Sequence, residues 1–237
     1  MKSVGQIIHL ARYPVKSMRG EALSQAALTF QGIPEDRRYA FVQTASRSEF
    51  PWLTARQYAQ LLRYTPVIER EASGENVVAV TTPEGQKWPV QSEELRREIA
   101  ARSGRDLFLL RQDRGSYDAA PISIISRQTV ARIAEESGTE ENFRRFRPNI
   151  VLDLTEGEAF EELKWVGQVL RVGDTARVAI TEADHRCVIV TLDPETTEAD
   201  ARVLHSVTHN HERCAGIYGT VITAGEVRVG DTVAIEI

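Results

Sequence analysis

The chain has 237 residues, of which 42% are apolar and 27% are charged, with a formal net charge of −5. Such a composition is typical of a soluble globular protein with one large or two modest domains, and the acidic balance argues against nucleic acid or an anionic membrane as a partner. The sequence contains no apolar run long enough to span a membrane. Its two cysteines are too few for a disulfide framework. Since residues 1–10 resemble a strand rather than a signal peptide, we expect a cytoplasmic protein with free thiols.

The first half of the chain is predicted to consist mainly of strands. Thr54, with Gln57 as a capping-box partner, is predicted to open a short helix. Ser92 is predicted to open a longer helix that ends near Gly104. Strands are predicted at residues 4–13, 23–30, 38–44, 67–70 and 77–82.

The second half, predicted to begin near Tyr117, combines strands and helices. Ser126 is predicted to cap a helix that ends at Gly138 and whose apolar face contains Val130, Ile133 and Ala134. Another helix is predicted to begin within residues 197–200. Strands are predicted at residues 122–125, 149–154 and 188–192.

Two segments of the second half resemble each other. Residues 167–178 and 225–235 each place a Gly-Asp pair between two strand-like runs. Gly173 and Gly230 can adopt the backbone angles of a tight turn, so each segment predicts a hairpin. Many short strands with turn residues between them predict a mainly β fold with α+β elements, rich in barrel structure.

Cys187 is the residue with the most chemical content. It follows His185-Arg186 and precedes the β-branched run Val188-Ile-Val190. A thiolate is a nucleophile and a soft-metal ligand, and neighbouring cations favour that charged form. Cysteine is also common as a small buried apolar residue. The residues alone leave both interpretations open.

Basic residues cluster near the ends of predicted strands. The clusters are Lys16-Ser17, Arg37-Arg38, Thr54-Ala-Arg56 and Arg144–Arg147. Lysine and arginine together with hydroxyl groups can bind a phosphate-bearing ligand, and a helix N-terminus also suits an anion. Each cluster by itself is more typical of a strand end whose arginines are solvated or paired with carboxylates. A nucleic-acid patch at Arg144–Arg147 is disfavoured because it contains only one aromatic residue in an acidic context.

A third group of residues, His209, His211 and Cys214, has the types that bind zinc. A second ligand pair is missing beside it, so a polar helix end is the simpler interpretation. The sequence contains no G-x-S-x-G, P-loop, G-x-G-x-x-G or H-E-x-x-H motif. The usual support for serine hydrolase, P-loop nucleotide, Rossmann or zinc-protease chemistry is therefore absent.

Taken in order, the clusters resemble the MOSC-domain family, named for the C-terminal domain of molybdenum cofactor sulfurase. The resemblance covers nearly the whole chain and includes the N-terminal β-barrel domain of that family. Within the family the chain is similar to bacterial counterparts of the mitochondrial amidoxime-reducing component. The motifs that carry the resemblance are Tyr13-Pro-Val-Lys-Ser17, Asp36-Arg37, Thr54-Ala-Arg-Gln57, Asp118-x-x-Pro121 with Ser126, Phe146-Arg-Pro-Asn149, Arg186-Cys187, Asp193-Pro194 and Gly225–Asp231.

This resemblance implies a smaller N-terminal β-barrel-like domain at residues 1–90 and a MOSC-type β-barrel at 91–237. It also implies that the chain binds the molybdenum cofactor, a pterin whose dithiolene holds the metal, with Cys187 as a protein ligand to molybdenum. The positions implied to line the cofactor site are Lys16, Ser17, Arg37, Thr54, Arg56, Ser126, Arg147 and Asn149.

The activity implied is that of an oxidoreductase reducing N-hydroxylated or related N- or S-oxygenated small molecules. Because no fused ferredoxin-like domain is visible, we expect a separate electron-donor protein, and neither a nucleic acid nor a membrane as partner. One alternative is a sulfur carrier with a persulfide on Cys187, and another is a non-catalytic module that binds the cofactor. Pyridoxal phosphate is associated with the sulfurase relatives through a partner domain whose fold this sequence does not show.

Overall fold

The computed structural model describes residues 2–70, 74–112 and 119–236. Within these ranges no helix is long and apolar enough to span a bilayer. The α-helices are α1 (Glu93–Ser103), α2 (Arg127–Ser137) and α3 (Ala201–Asn210), and short 3-10 helices lie at Ala59–Arg63, Phe143–Phe146, Glu161–Trp165 and Val188–Thr191.

Strands dominate the described residues, as the sequence predicts. In chain order they are β1 (Lys2–Arg12), β2 (Glu21–Leu23), β3 (Gln25–Leu28), β4 (Tyr39–Gln43), β5 (Thr65–Arg70), β6 (Asn76–Thr81), β7 (Lys87–Pro89), β8 (Leu107–Arg111), β9 (Ile122–Ser126), β10 (Ile150–Leu154), β11 (Val169–Val172), β12 (Ala176–His185), β13 (Cys214–Thr223), β14 (Gly225–Arg228) and β15 (Thr232–Glu236).

Seven of these strands close into a barrel, in the order β10-β9-β13-β12-β11-β15-β1, with β1 pairing back to β10. Only β9 and β10 run parallel, and the other neighbours are antiparallel. Along β12, Ala176, Val178 and Ile180 are buried whereas Arg177 and Ala179 are partly exposed. This alternation fills the barrel with aliphatic side chains, each contributing roughly 1.5–3 kcal/mol when fully buried.

A second core lies in the first half of the chain. The β4–β8 pair and the β5-β6-β7 sheet pack with α1 around Phe41, Tyr64, Val80, Leu95 and Ile99. α1 begins at its predicted cap, where the Ser92 hydroxyl accepts from the backbone N–H of Leu95, and ends at Gly104. The first strand of the chain belongs to the barrel, and α1 and β8 belong to this second core. A domain division at residue 90 stays a prediction.

The remaining helices cover the outside of the barrel. α2 begins at Ser126, whose hydroxyl accepts from Thr129 N, and ends at Gly138, where φ is 62°, as predicted. α2 packs on α3 and on the barrel through a third cluster that includes Val130, Ile133 and Val203. α3 begins after Asp200, within the predicted start.

Several predicted elements differ in the structure. The strand predicted at 188–192 is wrong: Val188–Thr191 forms a 3-10 helix, in which the Thr191 hydroxyl donates to Val188 O at 2.7 Å while Val190 packs into the third cluster. Tertiary packing here overrides the strand propensity of β-branched residues. The predicted strand at 23–30 is interrupted at Ser24, between β2 and β3.

One predicted hairpin and one predicted helix also differ in the structure. The hairpin at Gly173 forms between β11 and β12, but the hairpin predicted at Gly230 is wrong because β14 pairs with β3 whereas β15 pairs with β11 and β1. The helix predicted at Thr54 is a turn, and the 3-10 helix begins at Ala59. The capping contact is nevertheless present, since Thr54 N donates to Gln57 Oε1 at 3.0 Å.

Candidate functional site

A cavity of about 410 Å³ lies where the chain passes from the barrel to the second core. After β1, residues 13–17 leave the barrel, and Val15 bridges to Tyr39 of β4. The walls come from this segment, from residues 50–57, from the turn at 145–147, and from the chain after β12. Its size falls in the range of about 300–1,000 Å³ that is usual for small-molecule sites.

Cys187 lines this cavity. The ladder between β12 and β13 ends at the His185–Cys214 pair, and Arg186 N donates to Arg213 O at 2.9 Å. Cys187 then leaves the sheet in an extended conformation and caps the following 3-10 helix. Its side chain is half-buried and lines the cavity, which makes it accessible to a ligand.

The second thiol has a different environment. Cys214 is buried, and its Sγ lies 3.4 Å from His185 Nδ1. Burial raises the pKa of the Cys214 thiol, with Glu212 and Asp184 acting in the same direction. This group therefore stays protonated and does not line the cavity, which makes it a natural control for Cys187.

The guanidinium of Arg186 contacts backbone carbonyls and a carboxylate of the protein. Its Nε donates to Ala215 O at 2.7 Å, its Nη1 donates to Phe146 O at 2.8 Å, and its Nη2 lies 2.8 Å from an Asp184 carboxylate oxygen. These contacts fix the end of β12 against the turn at residues 145–147. Arg186 thus positions the segment that presents Cys187.

A largely buried cluster at the bottom of the cavity, here called the floor, consists of Tyr13, Asp36, Arg37 and Arg147, of which Arg37 and Arg147 line the cavity. The Arg37 guanidinium donates to Asp36 Oδ2 at 2.6 Å and to Asn149 Oδ1 at 2.9 Å, both from Nη1, and to Arg147 O at 2.9 Å from Nη2. The Asp36–Arg37 pair is almost fully buried. Removing either partner of such a pair would leave the other charge buried without compensation.

Tyr13 lies between the two floor arginines. The guanidinium carbons of Arg37 and Arg147 lie 4.9 and 4.4 Å from the centre of its ring. Burial raises the pKa of the Tyr13 hydroxyl, although both arginines act in the opposite direction. The protonated hydroxyl donates to Pro148 O at 3.1 Å. The ring thereby fixes two cations at the bottom of the cavity by cation–π contact.

The backbone of the site is also unusual. Ser17, Arg37 and Arg147 have φ values of 66°, 49° and 53°, in the left-handed region that residues with a Cβ rarely adopt. Conformations of this kind cost of order 1–3 kcal/mol each and persist only where the surrounding structure holds them. All three residues line the cavity. Backbone strain of this kind is common at functional sites.

The charge of the lining favours an anion. Among the described residues, one carboxylate residue, Asp184, lines the cavity together with six cationic residues: Lys16, Arg37, Arg56, Arg145, Arg147 and Arg186. Three of these cations are paired with carboxylates, Arg37 with Asp36, Arg145 with Asp193 and Arg186 with Asp184. The Nε of Arg145 is buried without a hydrogen-bond partner in the part of the chain that the structure describes. A cleft of one charge sign concentrates ligands of the other. This donor set, with an accessible thiol beside it, fits a phosphate-bearing group that also binds a soft metal.

The outer edge of the cavity, here called the rim, consists of Phe50, Trp52, Thr54 and Arg56. Phe50 and Arg56 are exposed, and Trp52 and Thr54 are half-buried. The Thr54 hydroxyl contacts Gln57 Oε1 at 2.6 Å and also accepts from Arg56 N at 3.3 Å. The rim therefore combines apolar rings with a hydroxyl and a solvated cation.

The structure brings most of the predicted site residues together. Asn149 lies behind the floor, where its side chain accepts from Arg37 and Ser123 N and donates to Ala11 O. Ser126 does not line the cavity; its hydroxyl donates to Glu162 Oε2 at 2.9 Å and caps α2. Asp118 lies outside the described residues. The predicted residues that line the cavity are Lys16, Ser17, Arg37, Thr54, Arg56, Arg147 and Cys187.

Sequence reasoning missed Phe50, Trp52, Arg145, Asp184 and Tyr218 as lining residues. The i, i+2 spacing of Phe50, Trp52 and Thr54 is a signal that an extended segment presents them on one side. Asp184 and Tyr218 belong to long strands and carry no comparable signal. Only the cross-strand arrangement of β12 and β13 brings them to the cavity.

The alternative zinc site is not formed by the described residues. His211 Nε2 lies 2.8 Å from a Glu136 carboxylate oxygen, and His209 stacks on His205 with ring centres 4.4 Å apart. Within the described ranges, no group of three or more histidine, cysteine or acidic side chains has metal-binding geometry. The predicted polar helix end is confirmed, because α3 ends at Asn210.

Comparison with known proteins identifies the family. The family model of the MOSC domain matches residues 111–234, and that of the MOSC N-terminal beta barrel domain matches residues 4–119. Mitochondrial amidoxime reducing component 2 from Bos taurus and from Homo sapiens are each 23% identical, over 98% of this chain and 84% of the relative.

A solved structure of the YUAD protein from Bacillus subtilis aligns over 99% of this chain and 96% of that one, with a TM-score of 0.48 and 13% identity. The two family models and the amidoxime-reducing relatives support a function associated with the molybdenum cofactor. The chain belongs to the MOSC domain family and carries that family's N-terminal β-barrel domain.

Proposed function

We propose that this chain is an oxidoreductase that uses the molybdenum cofactor, with Cys187 as a ligand to the metal, to reduce N-hydroxylated or related N- or S-oxygenated small molecules. The observation that carries the proposal is the accessible Cys187 thiol in a cavity with six cationic side chains and one carboxylate among the described residues. A thiolate suits a sulfur-rich molybdenum site, and the cations suit a pterin phosphate.

The residues of the site divide the task of holding the cofactor. The pterin and its phosphate would contact Lys16 and Ser17, in the turn after β1, and also Arg147. Arg37 is buried, paired with Asp36 and bonded to Arg147 O, so it would contribute mainly the position of Arg147. Thr54 and Arg56 would contact the ligand from the rim. When bound, the cofactor supplies the two-electron chemistry.

Reduction of an N-hydroxyl group consumes electrons and protons and releases water. The relatives named amidoxime reducing components suggest an electron-transfer partner for this chain, which would be a separate protein. The substrate would enter past the rim, because the floor is closed by buried side chains. A cytoplasmic location stays a prediction.

Turnover of a model substrate tests the proposal. The protein is produced in a host that synthesises the cofactor, and reduction of benzamidoxime is measured with an artificial electron donor. We expect turnover by the wild type and by Cys214→Ala, and loss of turnover in Cys187→Ala. No turnover by molybdenum-loaded wild type would reject the enzyme and leave a non-catalytic cofactor-binding module. Equal turnover by Cys187→Ala would reject the role of the thiol.

A sulfur carrier is a second candidate, favoured by the same accessible thiol. In that case Cys187 would bear a persulfide and pass the sulfur to a metal or cofactor. Mass spectrometry after incubation with a cysteine desulfurase and cysteine distinguishes the two functions. An added sulfur atom on Cys187, absent from Cys187→Ala, would favour the carrier, and an unchanged mass would count against it.

A further inference from the structure

The rim is built by an extended segment that runs beside β4. Leu53 N donates to Phe41 O at 2.8 Å, Gln43 N donates to Pro51 O at 2.9 Å, and Trp52 bridges to Val42. Side chains alternate along such a segment. Leu53 accordingly packs into the second core, whereas Phe50, Trp52 and Thr54 line the cavity. The second core thereby fixes the direction of the two aromatic rings.

Apolar side chains also reach the cavity from a second element. The 3-10 helix Val188–Thr191 begins directly after Cys187, and its Ile189 and Val190 line the same cavity. Val190 is anchored in the third cluster, which holds this helix in place. Aromatic and aliphatic groups from two independent elements therefore share a cavity with the thiol, whereas the floor is polar.

The exposure of Phe50 is the least expected property of this group. Its side chain is 74% exposed, although it lines a cavity whose other end is charged. Phe30 is exposed to a similar extent, 65%, but lies outside the cavity. A ring already directed into a small-molecule site gains free energy when a ligand covers it, since burial and aromatic contact together stabilise the complex.

We propose that Phe50, Trp52, Ile189 and Val190 form an apolar slot that binds the flat, apolar part of the substrate and selects aromatic over small aliphatic N-hydroxylated molecules. This inference rests on the proposed function and adds the substrate class. The floor would hold the charged cofactor, and the slot would hold the substrate beside Cys187. Specificity of this kind comes from the slot and leaves the reducing chemistry unchanged.

Steady-state kinetics of the holoenzyme test the slot. Benzamidoxime and acetamidoxime carry the same reducible group on an aromatic and on a methyl substituent. We expect Phe50→Ala to raise KM for benzamidoxime roughly 2- to 10-fold, the equivalent of one aromatic contact, with little change in kcat or in KM for acetamidoxime. Phe30→Ala is the matched control and should behave as wild type. Equal effects of Phe50→Ala on both substrates would overturn the slot.

A binding measurement separates this inference from the proposed function. The chain contains three tryptophans, of which Trp52 lines the cavity. Adding benzamidoxime to the holoprotein without an electron donor should change the tryptophan fluorescence, and Trp52→Phe should abolish that change. If the signal appears without turnover in the kinetic assay, the slot stands and the oxidoreductase fails. A wild-type signal that Trp52→Phe and Phe50→Ala leave unaltered would reject the slot.

Discussion

The floor and the rim line one cavity but are held in different ways. Floor side chains bond to one another and to backbone carbonyls, as in the contacts of Arg37 with Asp36, Asn149 and Arg147. The rim rings face solvent, and Arg56 is exposed. A floor held by internal hydrogen bonds suits a ligand that never changes, whereas the exposed aromatic rings of the rim suit ligands that vary. The difference indicates where cofactor binding and substrate selection are each encoded.

The sharpest contrast is between two arginines of the same cavity. Arg37→Ala should lower the free energy of unfolding by about 3–5 kcal/mol, because it leaves the buried Asp36 carboxylate without its partner. Arg56→Ala removes an exposed cation and should change stability by no more than about 0.5 kcal/mol. Urea denaturation followed by circular dichroism measures both variants.

An equal loss in the free energy of unfolding of Arg37→Ala and Arg56→Ala would contradict the distinction between floor and rim. Arg37→Lys sharpens it, since the variant keeps the charge and loses the planar fork that bonds Asn149 and Arg147 together. We expect a stability between that of wild type and Arg37→Ala. Stability equal to wild type would show that charge alone holds the floor.

A smaller loss of stability is expected from a substitution of Asn149, behind the floor. Asn149→Ala removes the acceptor for Arg37 and Ser123 N and the donor to Ala11 O. Because these buried groups lose a hydrogen-bond partner, the free energy of unfolding should fall by about 1–3 kcal/mol. Thr54→Ala, at the rim, is the comparison in the same denaturation assay. A greater loss from Thr54→Ala than from Asn149→Ala would contradict the account.

Another small effect is expected at Glu195, in the loop after the 3-10 helix Val188–Thr191. Its carboxylate bridges Arg19 at 2.6 Å and Arg144 at 2.5 Å, in a partly exposed setting. Burial alone would raise the pKa of Glu195, but the two arginines outweigh it and place the pKa below its ordinary value of 4.5. The wild type should therefore exceed Glu195→Gln in stability by no more than about 1 kcal/mol at neutral pH.

The pH dependence of that difference follows from the lowered pKa. The unfolded chain takes up the proton at a higher pH than the folded one, so the stabilisation is present above pH 4.5 and is lost as the pH falls through the folded pKa. Thermal unfolding of both proteins from pH 7 to 3 measures it. A difference that widens with acid would contradict the assignment of the bridge.

Sequence reasoning predicted the floor better than the rim, for a physical reason. Arg37 and Arg147 of the floor lie in short motifs whose order along the chain indicates the family, so the sequence alone predicts both. Most of the strands and all three helices were predicted as well, because caps such as Ser92 and Ser126 and stops such as Gly104 and Gly138 act locally.

The rest depends on contacts between distant parts of the chain. Phe50 and Trp52 face the cavity because their segment pairs with β4. Their i, i+2 spacing indicates a shared side, but the sequence does not show that this side faces the cavity. Ser126 was assigned to the cofactor site as well as to a helix cap, and the structure shows the cap. The β-branched residues predict a strand at 188–192, and that prediction is wrong because the packing of Val190 in the third cluster is not visible in sequence.

The central claim is that Cys187 and the charged cavity hold the molybdenum cofactor. The most direct test is the molybdenum content of freshly purified protein from a host that makes the cofactor, for wild type, Cys187→Ser and Cys214→Ser. We predict comparable molybdenum in wild type and Cys214→Ser, and a marked loss in Cys187→Ser. Wild-type protein without molybdenum, or Cys187→Ser with the wild-type content, would contradict the claim.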